Sequence, residues 1–350
     1  MVAGTTLAGD EITDLYRCIV DDELTQAQTP GNYQTQSVND RYIDAVTAQN
    51  PLTRTMNIVA DYGNGIAGAI GPTLFEQLNV VAMNLFADVD GNFPNHHPDP
   101  SNPDNLVDLQ AALLAGDAEI GLAFDGDGDR LGIVIPTDDR TNCEIIWADR
   151  VLMLLADDVL AQQPGEHIVF DVKCTGRLFE RINNAGGQPV MWRTGHSLIK
   201  RKMRELDAPL AGEMSGHFFF GKPWHGFDDA LYAAARLLSI LSRHSNIGEL
   251  LRNLPSGVST PELHIHTAEG ENHQFIEHFQ QQAHFPDAEI NAIDGVRADF
   301  ATGWGLIRAS NTTPVLVLRF EADNAATLTQ IQQQFKTQIR RIAPQFEMPF

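Results

Sequence analysis

Twice along this chain, apolar runs of strand length alternate with segments of helical spacing, and that rhythm limits the fold more than any other feature does. In the first stretch, residues 56–60 and 80–86 predict strands, and 67–78 and 105–114 predict helices. A further strand, Glu119-Ile-Gly-Leu-Ala-Phe124, follows. In the second, helix 148–160 leads to strand 167–172, helix 175–184, strand 189–192, helix 197–205, strand 209–211 and a long helix, 228–243. Strands alternating with helices form a mixed, mainly parallel sheet covered on both faces. Two segments of similar size and rhythm suggest duplicated domains, residues 37–140 and 141–256, divided near the polar turn 136–142. After Ser256 the rhythm changes. Strands at 262–266, 296–300, 305–308 and 314–320, with helices at 274–282 and 325–342, predict a smaller domain over 257–350. The fold class is therefore α/β: two similar α/β domains with mixed sheets plus a C-terminal smaller α+β domain with an antiparallel sheet. Residues 1–36 stand apart. Ile12, Leu15, Ile19 and Leu24 fall near one face of a helix over 11–24. A lone helix cannot bury its own face, so this one must pack on something.

The bulk properties narrow the function. A chain of 350 residues, 43% hydrophobic, is long enough for two or three packed domains. No stretch approaches the ~20 apolar residues of a membrane span. Residues 1–10 have no basic region and no long apolar core, so they do not read as a signal peptide. Cys18, Cys143 and Cys174 are few, odd in number and scattered, which reads as reduced thiols in a cytoplasmic protein. The net charge of −22 argues against a nucleic-acid partner. It also means that an anionic substrate needs cations gathered locally, and no lysine occurs before Lys173.

The strand ending at Phe124 delivers Asp125-Gly126-Asp127-Gly128-Asp129-Arg130. In extended chain, alternate side chains share a face, so Asp125, Asp127 and Asp129 point the same way. Three carboxylates on one face repel unless a cation sits among them, and two glycines let the backbone bend around it. Hard oxygen ligands in this number suit Mg²⁺. Arg130 adds a guanidinium suited to a phosphate beside the metal. An EF-hand loop needs Gly at its sixth position and Glu at its twelfth. Here those positions hold Arg130 and Pro136, and a strand precedes. A solvated acidic turn would not explain three regularly spaced Asp capped by Arg after a buried strand.

Other polar groups also sit on turns after apolar strands, the edge at which parallel α/β sheets bind ligands. Gly212-Glu-Met-Ser-Gly-His217 offers Glu213 and Ser215 on alternate positions, a carboxylate and a hydroxyl suited to paired sugar hydroxyls. A turn with a capping Ser is the plain alternative, to which a carboxylate and a His are additional. Arg308-Ala-Ser-Asn-Thr-Thr-Pro314 combines an Arg, hydroxyls, an amide and turn N–H groups, a nest for an anion. A hairpin turn held by Ser and Asn hydrogen bonds competes with that reading. Lys173 follows the strand at 167–171, and His196 lies in Thr194-Gly-His-Ser197 after the strand at 189–192. His96 and His97 lack a third ligand at zinc spacing and are expected to be structural. The turn Gly63-Asn-Gly-Ile-Ala-Gly68 lacks the acidic partner of a dinucleotide fingerprint.

Asp-Gly-Asp-Gly-Asp-Arg, Gly-Glu-Met-Ser-Gly-His and Arg-Ala-Ser-Asn-Thr-Thr, in that order and rough spacing, resemble the motifs of the α-D-phosphohexomutases. Within that family the chain is most similar to the bacterial phosphomannomutase/phosphoglucomutase group. The flanks Asp90-Gly-Asn-Phe-Pro-Asn-His-His-Pro-Asp-Pro and Asp171-Val-Lys-Cys174 fit as well, and the similarity covers nearly the whole chain. The resemblance implies four domains around a deep cleft and a phosphoserine that exchanges phosphoryl groups with a hexose phosphate through a bisphosphate. It implies that Asp125, Asp127 and Asp129 hold Mg²⁺ and that Arg130 supports the phosphoserine. Lys173 and His196 would assist near the transferring group. Glu213 and Ser215 would grip sugar hydroxyls, with His217 beside them. Arg308, Ser310, Asn311 and Thr312 would clamp the phosphate not in transit. The expected partners are mannose and glucose phosphates, with no nucleic acid and no membrane, acting on a monomer. One departure stands out. The family's Thr-Ala/Gly-Ser-His-Asn-Pro loop is not among these residues. Residues 1–36 then read as a remnant of the first mutase domain, with Met1 just downstream of that loop, and the chain alone is expected to lack turnover. A Mg²⁺-dependent sugar-phosphate binder without catalysis is the alternative, and a phosphatase using Asp125 as nucleophile is a third.

Overall fold

The computed structural model describes residues 6, 7, 9–25 and 27–350; the reading of residues 1–5 as part of a non-leader N-terminus lies outside them. The first helix, α1 (Asp10–Val20), forms where the apolar spacing places it. Its apolar face, however, is left open rather than packed: Ile12, Leu15 and Ile19 are 54%, 48% and 56% exposed. An ion pair from Glu11 to Arg201 at 2.5 Å ties it to the body of the protein.

The first α/β unit contains α2 (Asn39–Gln49), β1 (Met56–Asp61), α3 (Gly71–Gln77), β2 (Val80–Leu85), α4 (Val107–Ala115), β3 (Ile120–Phe124), β4 (Leu131–Pro136) and β5 (Cys143–Ile146). The strands lie in the order β2-β1-β3-β4-β5. β1 runs parallel to β2 and β3, while β4 and β5 are antiparallel additions. Every residue of β3 is buried, as a central strand covered on both faces requires. The helix expected over 67–78 begins as a 3₁₀ turn, Ile66–Ala69, and restarts as α3. Pro72 cannot donate to a continuing helix but suits the opening of a new one. Pairing of β5 with β4 carries this sheet through Ile146, past the turn at 136–142.

The second unit repeats the pattern. It contains α5 (Ala148–Gln162), β6 (His167–Asp171), α6 (Arg177–Asn184), β7 (Gln188–Trp192), α7 (His196–Leu206), β8 (Leu210–Gly212), β9 (Phe218–Phe220), α8 (Ala230–Leu241) and α9 (Ile247–Arg252). Its strand order is β7-β6-β8-β9, with β6 parallel to β7 and β8 and with β9 antiparallel to β8. In each unit a central strand has parallel neighbours on both sides, and the third strand turns back through an antiparallel hairpin. The two units share one hydrophobic core, which runs from Ile43 and Val46 of α2 through Leu152 of α5 to Leu251 of α9.

The C-terminal unit contains β10 (Val258–Ser259), β11 (Leu263–His266), α10 (Glu271–Gln282), β12 (Ala288–Asn291), β13 (Val296–Phe300), β14 (Gly303–Ala309), β15 (Val315–Ala322) and α11 (Ala325–Ile342). Its sheet, β10-β15-β14-β13-β12 with β11 also on β15, is antiparallel throughout. It has its own core, centred on Phe279, Phe320 and Phe335. It meets the second unit through a small cluster, Val172, Trp304 and Leu306, and through buried arginines. Arg297 donates to the carbonyls of Val172 and Cys174 at 2.7 and 2.8 Å, and Arg319 donates to the carbonyl of Lys173. The described residues contain no helix long and apolar enough to cross a membrane.

Candidate active site

The duplicated topology places two chemical turns at equivalent points. Residues 125–130 connect β3 to β4, and residues 213–217 connect β8 to β9. The two turns meet: Arg130 and His217 form an isolated antiparallel bridge, and the Leu131 amide donates to the Gly216 carbonyl at 3.0 Å. Gly216 has φ of 102°, and a Cβ there would lie 2.9 Å from the Leu131 carbonyl oxygen. Only glycine fits both the conformation and the gap.

Within the first turn, Asp125 is the buried organiser. Its Oδ1 accepts the amides of Gly128, Asp129 and Arg130 at 3.0, 3.0 and 3.1 Å, and its Oδ2 accepts Arg130 Nε at 2.7 Å. Both oxygens are thus engaged, which leaves Asp125 poorly placed as a nucleophile. One oxygen from each of Asp125, Asp127 and Asp129 lies within 4.8 Å of the others. Burial and the neighbouring Asp125 raise the pKa of Asp127, as crowding of like charges does, and Arg130 only partly offsets the rise. Three hard oxygens held this close fit a divalent cation such as Mg²⁺.

Two segments support the turn. Asp99, from the Pro- and His-rich loop, accepts Arg130 Nη1 at 2.9 Å. The glycine-rich turn after β1 packs against its backbone: the Ile66 amide donates to the Gly126 carbonyl at 3.0 Å, and a Cβ on Gly65 would meet the Asp125 carbonyl oxygen at 2.6 Å. These glycines seat the acidic turn rather than a dinucleotide. In the same loop, His96 Nε2 lies 3.2 Å from both oxygens of buried Asp61, a structural tie.

In the second turn, Glu213 Oε1 accepts the Gly195 amide at 2.6 Å, and Oε2 lies 3.1 Å from His217 Nδ1. Ser215 Oγ is 2.8 Å from the same nitrogen, and His217 Nε2 is 3.3 Å from Asp129 Oδ1. Burial opposes a charge on His217, but the carboxylates of Asp129 and Glu213 outweigh it and push its pKa up to about 9. Burial likewise works against the Glu213 anion, yet His217 and the Gly195 amide hold its carboxyl below the usual range. His196, the first residue of α7, stacks on His217 with ring centroids 5.8 Å apart and sits 3.1 Å from Asp228 Oδ2. Lys200 also reaches Asp228, at 2.8 Å.

A cleft of about 1120 Å³ opens between the second and C-terminal units. Lys173, His196, Arg308, Ser310, Asn311 and Thr312 all line it. Lys173 is buried against Glu262, with Nζ to Oε1 at 2.5 Å. Burial disfavours its charge, but Glu262 and Asp171 restore it and raise its pKa. In the 310–313 turn the amides of Thr312 and Thr313 make long bonds, 3.4 and 3.3 Å, to Ser310 Oγ. Asn311 reaches the Thr194 carbonyl at 3.4 Å. The structure thus brings Glu213, Ser215 and His217 beside the acidic turn, and Lys173 beside the Arg308 turn, with His196 at the cleft wall against His217.

Several residues here were assigned no role from the sequence. Asp171 is fully buried and accepts from Thr194 Oγ1 at 2.9 Å and the Met214 amide at 3.2 Å. Asp228, Glu262 and Asp294 each hold a cation of the site. In the sequence Asp171 stood at the end of β6, as the first residue of the flank Asp171-Val-Lys-Cys174, with no role attached to it.

Known proteins resemble this chain along most of its length. Phosphoglucomutase/phosphomannomutase alpha/beta/alpha domain II matches residues 40–138, alpha/beta/alpha domain III matches 147–257, and the C-terminal domain matches 268–338. A phosphomannomutase/phosphoglucomutase of Pseudomonas putida is 48% identical over 351 residues, covering 100% of this chain and 74% of that relative. A phosphoglucomutase of Neisseria gonorrhoeae is 51% identical over 341 residues, covering 97% of this chain and 73% of that relative. A solved phosphoglucomutase/phosphomannomutase family protein from Burkholderia thailandensis superposes with a TM-score of 0.92 at 48% identity, over 99% of this chain and 73% of that one.

Proposed function

This chain belongs to the phosphoglucomutase/phosphomannomutase family, the α-D-phosphohexomutases, and on that footing we propose that it supplies the metal site, sugar clamp and phosphate anchor for interconverting hexose 1-phosphates and 6-phosphates of mannose and glucose through a bisphosphate. The observation that carries the proposal is the contact of the 125–130 and 213–217 turns beside a cleft whose far wall is the Arg308 turn. Phosphoryl transfer depends on positioning and charge stabilisation, and each group has such a task. Asp125, Asp127 and Asp129 would hold Mg²⁺, which offsets negative charge on a phosphoryl group in transit. Arg130, oriented by Asp125 and Asp99, faces the same charge. Lys173 and His196 supply cationic and proton-carrying groups near the sugar. Glu213 and Ser215 bind sugar hydroxyls, with His217 holding the Glu213 carboxylate in place. Arg308, Ser310, Asn311 and Thr312 anchor the phosphate that stays. We place this activity on a monomer in the cytoplasm; the three unpaired cysteines support the compartment.

The 350 residues contain no Ser-His-Asn-Pro loop to carry a phosphoryl group. That favours, for these residues alone, binding of metal and sugar phosphate without turnover. Calorimetric titration with Mn²⁺ and glucose 6-phosphate tests the proposal. The wild type should bind both, and Arg308→Ala should weaken glucose 6-phosphate about tenfold or more, the scale of one lost charge-assisted contact, while leaving Mn²⁺ affinity unchanged. No uptake of glucose 6-phosphate by the metal-loaded wild type would sink the proposal. Conversion of glucose 1-phosphate in the presence of glucose 1,6-bisphosphate would overturn the expectation of no turnover.

A further inference from the structure

We infer that Asp294 is a positioning residue: one of its carboxylate oxygens aligns the Arg308 guanidinium and ties the phosphate anchor to the turn that carries His196. The inference rests on the reading of Arg308 as that anchor. Asp294 lies in the turn between β12 and β13, followed by Gly295 with φ of 79°. A Cβ on Gly295 would come within 2.2 Å of the Ile307 carbonyl oxygen and 2.6 Å of Arg308 Cα. Glycine therefore lets this turn press against β14 at Arg308, which brings the Asp294 carboxylate to the guanidinium.

Asp294 Oδ2 accepts two bonds. Arg308 Nε donates at 3.0 Å, within the C-terminal unit, and the Thr194 amide donates at 2.9 Å from the second unit. The side chains of Asp294 and Arg308 are 13% and 5% exposed, so neither bond is loosened by bulk water. A guanidinium is a rigid planar fork, and fixing Nε fixes the plane in which the other N–H groups point. Among those, Arg308 Nη2 is buried with no partner among the described residues, although Arg308 lines the cleft. A buried donor without an acceptor is costly unless a ligand supplies one.

Past Thr194 the contacts continue. Its neighbour Gly195 donates to Glu213 Oε1 at 2.6 Å, and Glu213 holds His217. The anchor and the sugar clamp are therefore linked through groups in direct contact, and Asp294 is the joint between units. By charge alone a carboxylate beside a phosphate site repels the anion. Asp294 is useful there only through geometry, and this separates two substitutions. Asp294→Ala removes the acceptor. Asp294→Asn can place its amide oxygen where Oδ2 sits and keep both bonds without the negative charge.

The test is titration of the Mn²⁺-loaded full chain with glucose 6-phosphate, alongside Arg308→Ala. Asp294→Ala should weaken glucose 6-phosphate about tenfold or more, with Mn²⁺ affinity unchanged, and Asp294→Asn should recover most of that loss. Retained Mn²⁺ affinity separates a positioning effect from general damage to the fold. Arg308→Ala weakened with Asp294→Ala equal to wild type would overturn this inference alone. Asp294→Asn binding glucose 6-phosphate as weakly as Arg308→Ala would overturn it too, and that comparison remains decisive if Asp294→Ala fails to fold. No binding of glucose 6-phosphate by the wild type would remove the functional reading and this inference together.

Discussion

His217 shows how one side chain can set a property of the site. It lies between Glu213 and Asp129, and those carboxylates push its pKa up to about 9 against the opposing effect of burial. An unfolded histidine titrates near 6.5. The folded state therefore binds the proton more tightly. Its contribution is complete below about pH 6.5 and is lost as the pH rises to about 9, an effect of up to roughly 3 kcal/mol. In chelator, urea denaturation at pH 6 and pH 9 should show the wild type losing more stability than His217→Gln across that interval. Equal losses would show that the two carboxylates do not hold the proton. The Asp triad, Glu213 and Arg308 were legible in the sequence because each belongs to a dense polar motif on a turn. Asp294, Glu262 and Asp228 were not. Each is a single acid among 46 Asp and Glu, and only the folded chain sets it against a cation.

At the level of elements, the acidic turn depends on its neighbour. Gly65 brings the turn after β1 so close that a methyl group there would lie 2.6 and 2.9 Å from the carbonyl oxygens of Asp125 and Gly126. Those are backbone atoms, so the acidic turn itself has to move. Gly65→Ala should weaken Mn²⁺ binding about tenfold by calorimetry and destabilise the fold by about 1–3 kcal/mol, the usual cost of overpacking. Gly31→Ala, with nothing within 4 Å, should change neither and serves as the control. Unaltered Mn²⁺ affinity in Gly65→Ala would show that the turn accommodates the methyl group. The strands that lead into the site were legible because buried strands read as unbroken apolar runs, although β4, the apolar run that leaves the acidic turn, was not assigned from the sequence. β9 and α2 were not, for different reasons. Phe218–Phe220 is only three residues long, and α2 offers only Ile43 and Val46 as buried apolar positions within a polar sequence.

Across the whole molecule, the duplication was visible in the sequence rhythm, but the merging of its two copies into one core was not. Hydrophobic spacing identifies an inward face without saying which other face it meets. The C-terminal unit keeps a separate core and touches the rest through a small apolar cluster and polar contacts, among them Arg297 to backbone carbonyls, Lys173 to Glu262 and the Thr194 amide to Asp294. Two cores joined by a mainly polar contact should melt separately. Calorimetry should resolve two transitions. Mn²⁺ should raise the one belonging to the two α/β units and leave the C-terminal one in place, since a ligand stabilises only the unit that binds it. A single transition that Mn²⁺ shifts as a whole would show the three units to be one cooperative block.

Apart from the His217–Asp129 ion pair, the seam between the 125–130 turn and the 213–217 turn is made of main chain, from the Leu131 amide to the Gly216 carbonyl. Main-chain bonds are indifferent to side-chain identity. The backbone joint between the two turns therefore tolerates replacement of Met214 or Ser215, provided position 216 stays glycine.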